Sequence, residues 1–146
     1  MQSRIAFIPE DRRLQGLITT HTIKDNFELP LIILKRLNRQ KIFVNDRRAS
    51  DLANGYVEKL KIRCDSISKE IRLLSGGNQQ KVVIAKWLST EPEILIMDEP
   101  TAGVDIGTKT EILEMARNLA NEGKGVLIIS SELQELLSIC DRIVIV

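Results

Sequence analysis

Ile94-Leu95-Ile96-Met97-Asp98-Glu99-Pro100 decides the fold of this chain. Four apolar residues run without a break into two acids and a proline. A continuous apolar run of this length reads as a strand buried on both faces, as in a parallel sheet covered by helices. Pro100 makes a sharp exit from it. Open α/β sheets place their ligands outside the C-terminal ends of their strands, where the two acids fall. There Asp98 can hold Mg²⁺, directly or through water, and Glu99 can polarise an attacking water. A solvated acidic turn after a strand is the alternative, and these residues alone leave both open.

Three more runs share the pattern: Ile5-Ala6-Phe7-Ile8, Val126-Leu127-Ile128-Ile129 and Ile143-Val144-Ile145-Val146. Each is read as a strand buried on both faces. Helical spacing fills the gaps between the last three. Val83, Ile84, Trp87 and Leu88 share one face before Pro92; Ile112, Leu113, Ala116, Leu119 and Ala120 share another, ended by Gly123; Leu133, Leu136, Leu137 and Cys140 form a third. Strand, helix, strand, helix, strand is α/β order. Residues 23–72 differ. They lack clear strands, are rich in Lys, Arg and Asn, and carry a helical pattern in Leu52, Tyr56, Val57 and Leu60. This stretch is expected to be a helical insertion on the α/β core.

Composition narrows the function. The 146 residues suit one domain and allow a sizeable core. Twenty-one Lys and Arg against 20 Asp and Glu leave a net charge of +1, which offers no electrostatic case for nucleic acid or anionic lipid as the main partner. No apolar run approaches the ~20 residues of a membrane-spanning helix, and Met1-Gln2-Ser3-Arg4 does not open a secretory signal. Cys64 and Cys140 stand far apart beside a single histidine, His21, so closely spaced zinc ligands are missing and the cysteines read as small buried hydrophobes of a reduced protein. His21, in a polar Thr-Thr-His-Thr stretch, is a poor candidate for nucleophilic catalysis.

The second informative stretch is Leu74-Ser75-Gly76-Gly77-Asn78-Gln79-Gln80-Lys81, at the start of the helix that carries Trp87. Two glycines let backbone approach a ligand without a Cβ clash. The N–H groups of a first helical turn point at whatever lies in front of it. Ser75 either caps the helix or donates to a phosphate oxygen, so the residues describe an anion seat or an ordinary N-capped helix.

Taken together, Leu74-Ser75-Gly76-Gly77, the apolar run into Asp98-Glu99-Pro100-Thr101, and Gly103-Val104-Asp105 resemble the ATP-binding-cassette ATPases over nearly the whole chain. The resemblance implies a RecA-like P-loop NTPase core, α/β with a mostly parallel sheet (residues 1–22 and 73–146), and a helical subdomain (23–72). It implies ATP and Mg²⁺ as cofactors. Ser75, Gly76, Gly77 and the adjoining Asn78 match the signature loop. Asp98 and Glu99 match the Walker B pair, with Asp98 toward the metal and Glu99 as general base, and Asp105 matches the D-loop aspartate. Glu10 falls where the family has its Q-loop glutamine, and Ser131 where it has the switch histidine. Both have local alternatives: Glu10-Asp11-Arg12-Arg13 as a solvated loop with ion pairs, and Ser131-Glu132-Leu133-Gln134 as a helix-capping box. Asp105 fits a helix cap as well.

A finer resemblance, carried by residues 75–88, by Ile8-Pro9-Glu10-Asp11-Arg12-Arg13 and by Gly103-Val104-Asp105-Ile106-Gly107-Thr108-Lys109, is to the second, C-terminal cassette of bacterial simple-sugar importers of the ribose, galactose and xylose type. Ala102 stands where that group often has arginine. The resemblance implies an ATP-binding subunit peripheral to the cytoplasmic face of the inner membrane. Its partners would be an N-terminal cassette, membrane permease subunits and, indirectly, a periplasmic sugar-binding protein. A non-transport cassette of DNA repair or translation, and a non-catalytic cassette supplying only the signature loop, are the alternatives. None of the eight glycines begins a Gly-x-x-x-x-Gly-Lys-[Ser/Thr] loop, so the chain is expected to be a truncated cassette that starts after its phosphate loop and hydrolyses no ATP alone.

Overall fold

The computed structural model describes residues 4–33 and 46–145. Residues 34–45 of the expected helical insertion, and Val146 of the expected last strand, lie outside them. Within the described residues the chain divides into two compact units, 1–10 with 92–146, and 11–91.

The first unit is built on a three-stranded parallel sheet, β1 (Ile5–Ile8), β2 (Ile94–Asp98) and β3 (Gly125–Ile129), in that order. Ala6, Leu95 and Val126 lie in register, as do Ile8, Met97 and Ile128. Helix α4 (Ile106–Asn121) packs on β3 and buries Ile112, Ala116 and Leu119. It ends where Gly123 turns left-handed at φ 88°. Lys124 N–H then reaches Leu119 O (3.1 Å) and Gly123 N–H reaches Ala120 O (2.9 Å), a Schellman closure that satisfies the last carbonyls. A short helix, α5 (Leu133–Ile139), follows β3.

Three expectations need correcting here. The strands are not buried on both faces. Burial alternates: Ala6, Ile8, Leu95 and Met97 are buried, whereas Ile5, Phe7, Ile94, Leu127 and Ile129 are exposed. Sheet burial depends on what lies over each face, and a continuous apolar run carries no record of that. Nor are residues 143–145 a strand; Val144 and Ile145 are exposed. A strand exists only through its ladder, and among the described residues these have no ladder partner. Finally, Cys64 and Cys140 are free thiols but only half-buried.

The second unit is helical: a π-helical turn at Arg12–Gly16, α1 (Ile23–Ile33), α2 (Asp46–Lys59), a 3₁₀ turn at Ile71–Leu73 and α3 (Gly76–Leu88). Reciprocal bonds between Thr22 and Asp25 start α1: each backbone N–H donates to the other's side chain at 3.1 Å. Buried Asn26 satisfies both ends of its amide on Ile18, accepting from its N–H (2.9 Å) and donating to its carbonyl (3.0 Å). The core joins Ile23, Phe27 and Leu31 of α1, Ala49 and Ala53 of α2, and Val82, Val83, Ile84 and Ala85 of α3. Tyr56 tilts against Phe27 and donates its hydroxyl to Leu88 O at 2.9 Å.

Candidate functional site

The parallel register brings three strand ends to one edge of the first unit. Glu10 follows β1, Asp98 and Glu99 end β2, and Ser131 follows β3, with Asp98 paired to Ile129. This is the edge at which open α/β sheets collect ligand groups. Glu10 is exposed; Asp98 and Glu99 are half-buried.

Glu99 has the most constrained geometry. Its φ is 41°, left-handed for a residue with a Cβ, a conformation that costs on the order of 1–3 kcal/mol and persists only where its surroundings enforce it. Those surroundings are specific. Glu99 N–H donates to Ile129 O (2.9 Å), Ala102 N–H donates to Glu99 O (3.1 Å), and Ser131 N–H donates to Glu99 Oε1 (2.6 Å). A short backbone bond to a carboxylate oxygen is charge-assisted and strong.

Ser131 thus enters the site through its backbone. The capping box expected at 131–134 does not form: Glu132 occupies the position before α5, with no side-chain cap, and Ser130 Oγ accepts from Glu132 N–H (3.1 Å). The competing bond to Glu99 takes the Ser131 segment out of capping geometry. Asp105 does cap α4. Its Oδ1 accepts from Thr108 N–H (3.0 Å) and its Oδ2 from Thr108 Oγ1 (2.8 Å), and these bonds hold its carboxyl below the usual range.

Behind this edge lies a network that sequence reasoning missed. Thr101 is 2% exposed and donates Oγ1 to Glu135 Oε2 at 2.7 Å. Glu135, itself 6% exposed, meets Lys109 Nζ at 2.5 Å, and Lys109 also reaches Glu132 (2.8 Å). Burial pushes the Glu135 carboxyl up, but the bonds from Lys109 and Thr101 outweigh it and leave it below the usual range. Glu135 sits inside the stripe Leu133, Leu136, Leu137, which pattern alone turns inward. The structure buries the glutamate and leaves Leu133 and Leu137 exposed. The only prior signal was an acid flanked by apolar residues.

The second candidate element lies in the helical unit. Ser75 is exposed and precedes α3 in an extended conformation. Its Oγ accepts from Asn78 Nδ2 (2.8 Å) and weakly from Asn78 N–H (3.4 Å), while Asn78 Oδ1 accepts from Arg63 N–H (2.8 Å). The capping reading of Ser75 is therefore realised. The N–H groups of Gly76 and Gly77 precede the first intrahelical bond; Gly76 is half-buried and Gly77 is buried. In the turn after β1, Asp11 Oδ1 accepts from Arg13 and Leu14 N–H at 2.9 and 3.0 Å, so the expected solvated loop is a capped π-helical turn.

The Asp98 side chain has no hydrogen-bonding or ion-pair partner among the described residues, and no cluster of three metal-ligating side chains occurs among them. One free carboxylate, with a second acid beside it, fits Mg²⁺, which keeps several waters and shares phosphate oxygens rather than entering an all-protein cage.

A parallel sheet with acids at its strand ends, followed by helices, defines an α/β protein of the open-sheet kind. The chain belongs to the ABC transporter family, whose model matches residues 1–102. It is 43% identical over 145 residues to the ribose import ATP-binding protein of Caldanaerobacter subterraneus subsp. tengcongensis, covering 99% of this chain and 29% of that protein. It is 44% identical over 142 residues to the xylose import ATP-binding protein of Thermoanaerobacter pseudethanolicus, covering 97% and 28%. The chain thus spans less than a third of the length of these relatives. Its fold matches an ATP-binding cassette solved as a dimer in a post-hydrolysis state with ADP and phosphate, at a TM-score of 0.71 and 25% identity, over 91% of this chain and 54% of that one. No helix among the described residues is long and apolar enough to cross a membrane.

Proposed function

We propose that this chain is the C-terminal cassette portion of the ATP-binding subunit of a bacterial simple-sugar importer, coupling ATP hydrolysis to carbohydrate uptake. The observation that carries this reading is identity of 41–45% with ribose, xylose and arabinose import ATP-binding proteins along nearly the whole chain.

In this reading each residue has one task. Glu99 is the general base that orients and deprotonates the attacking water. Its strained backbone and the Ser131 bond fix the carboxylate in advance, so little reorganisation remains at the moment of reaction. Asp98 would hold Mg²⁺, which would neutralise phosphate charge. Glu10 lies beside the phosphates, and Asp105 holds the start of α4 at the cassette interface. Ser75, Gly76, Gly77 and Asn78 cover a nucleotide bound by the partner cassette, through helix-terminal N–H groups and a hydroxyl. Residues 23–72 form the helical subdomain facing the permease. The partners are an N-terminal cassette, membrane permease subunits and, indirectly, a periplasmic sugar-binding protein, with no nucleic acid. The subunit sits peripherally at the cytoplasmic face of the inner membrane. Without a phosphate loop, the isolated chain turns over no ATP above a Glu99→Gln control.

The test is a chimera in which this chain replaces the matching segment of a ribose import relative. The chimera is expected to support ribose uptake, and Glu99→Gln to cut its turnover by about 10²–10⁴-fold, the usual contribution of a general base. A folded chimera that binds nucleotide and hydrolyses it equally well with Glu99→Gln overturns the assignment of the base. One that hydrolyses ATP but moves no sugar overturns the transport reading.

A further inference from the structure

Two loops must keep their spacing for Glu99 to hold its conformation, the turn 99–102 after β2 and the loop 129–131 after β3. Glu99 itself bonds to Ile129 and Ser131. Glu135 bonds to the same two segments from behind. Its Oε2 accepts from Thr101 Oγ1 at 2.7 Å and, at the long limit of 3.5 Å, from Ser130 Oγ; its Oε1 meets Lys109 Nζ of α4 at 2.5 Å. One carboxylate therefore ties both loops to a helix that neither belongs to. Thr101 and Glu135 are each more than nine-tenths buried. A buried carboxylate is costly unless paired, and this one is paired by groups on the segments that flank Glu99 and on α4.

We propose that Glu135 is a positioning residue for Glu99: through Thr101, Ser130 and Lys109 it holds the turn after β2 against the loop after β3, so that the Glu99 carboxylate stays on the Ser131 N–H. The proposal rests on Glu99 as general base for its importance, but not for its test. A backbone N–H, that of Ser131, holds the Glu99 carboxylate, and a backbone donor is only as well placed as its loop. Thr101 contributes one methyl and one hydroxyl, and only the hydroxyl matters here.

The experiment is amide hydrogen exchange on the full chain, followed by NMR, without nucleotide. Glu99→Ala is expected to accelerate exchange at Ser131, which calibrates the probe; no acceleration there means the bond does not exist and the proposal fails. Thr101→Val and Glu135→Gln are expected to accelerate Ser131 by about tenfold while the amides of β2 stay within about twofold. Thr101→Ser is expected to restore wild-type exchange. If Glu135→Gln does not fold, the Thr101→Val and Thr101→Ser pair decides alone. Unchanged Ser131 exchange in Thr101→Val overturns the proposal. So does equal acceleration across β2 with no rescue by serine, which marks a merely structural pair. Failure here leaves the sugar-import reading standing, because that reading is decided by uptake in the chimera.

Discussion

The two units of this chain treat apolar sequence in opposite ways. In the helical unit, α3 is buried almost all round: Val82, Val83, Ile84 and Ala85 are fully enclosed, and even Lys86 is buried. In the sheet unit, β1 and β2 bury alternate side chains and β3 buries none fully, and Phe7 at 48% and Leu127 at 53% exposed face outward. The lesson is that runs of equal hydrophobicity differ in energetic weight according to what covers them. A helix enclosed by its own unit has already collected its burial energy, whereas an open sheet face has not.

The sharpest way to break that comparison is a pair of truncations. Phe27→Ala, in the enclosed unit, is expected to cost about 3–5 kcal/mol, the usual price of emptying a core aromatic site. Phe7→Ala, on the open sheet face, is expected to cost under about 1 kcal/mol. Denaturant titration of both variants checks it, and equal losses would show that the open face is covered in solution. A smaller effect is expected at Gly16. A Cβ there would meet Val83 Cγ2 at 3.0 Å and Cγ1 at 3.4 Å, so Gly16→Ala should destabilise by about 1–3 kcal/mol through overpacking against α3. Pairing it with Val83→Ala is expected to recover part of the loss.

The smallest and most specific effect concerns Lys86. Its ammonium donates to Gly16 O at 2.9 Å and lies 5.6 Å from the Trp87 ring centre, and burial pushes its pKa below 10.5. A base depressed by folding binds fewer protons in the native state than in the unfolded one, so its share of stability rises with pH between its folded value and 10.5. The denaturation midpoint of the wild-type chain, minus that of Lys86→Met, should climb through that alkaline window. A flat difference would mean that the ammonium is solvated.

The sequence was most legible where chemistry and local geometry coincide. Ser75-Gly76-Gly77 and Asp98-Glu99 are readable because strand ends and helix starts expose their own polar groups, whatever the rest of the chain does. The caps at Ser75 and Asp105 and the stop at Gly123 follow from the same local physics. What pattern could not supply was anything set by a distant neighbour. The open face of the sheet, the unpaired residues 143–145, and the diversion of Ser131 from capping to Glu99 all depend on contacts far along the chain. Thr101 and Glu135 are 34 positions apart, and a buried glutamate among leucines looks like any solvated one.

One earlier contact has a mechanical meaning. The π-helical turn ending at Gly16 is pinned to α3 near its C-terminal end, by the fit against Val83 and by the Lys86 bond, while Ser75, Gly76 and Gly77 occupy the opposite end. A helix of 13 residues is a stiff rod about 20 Å long. Because α3 is enclosed along most of that length, the diglycine tip is held in place by the packing of the whole helix rather than by its own loop.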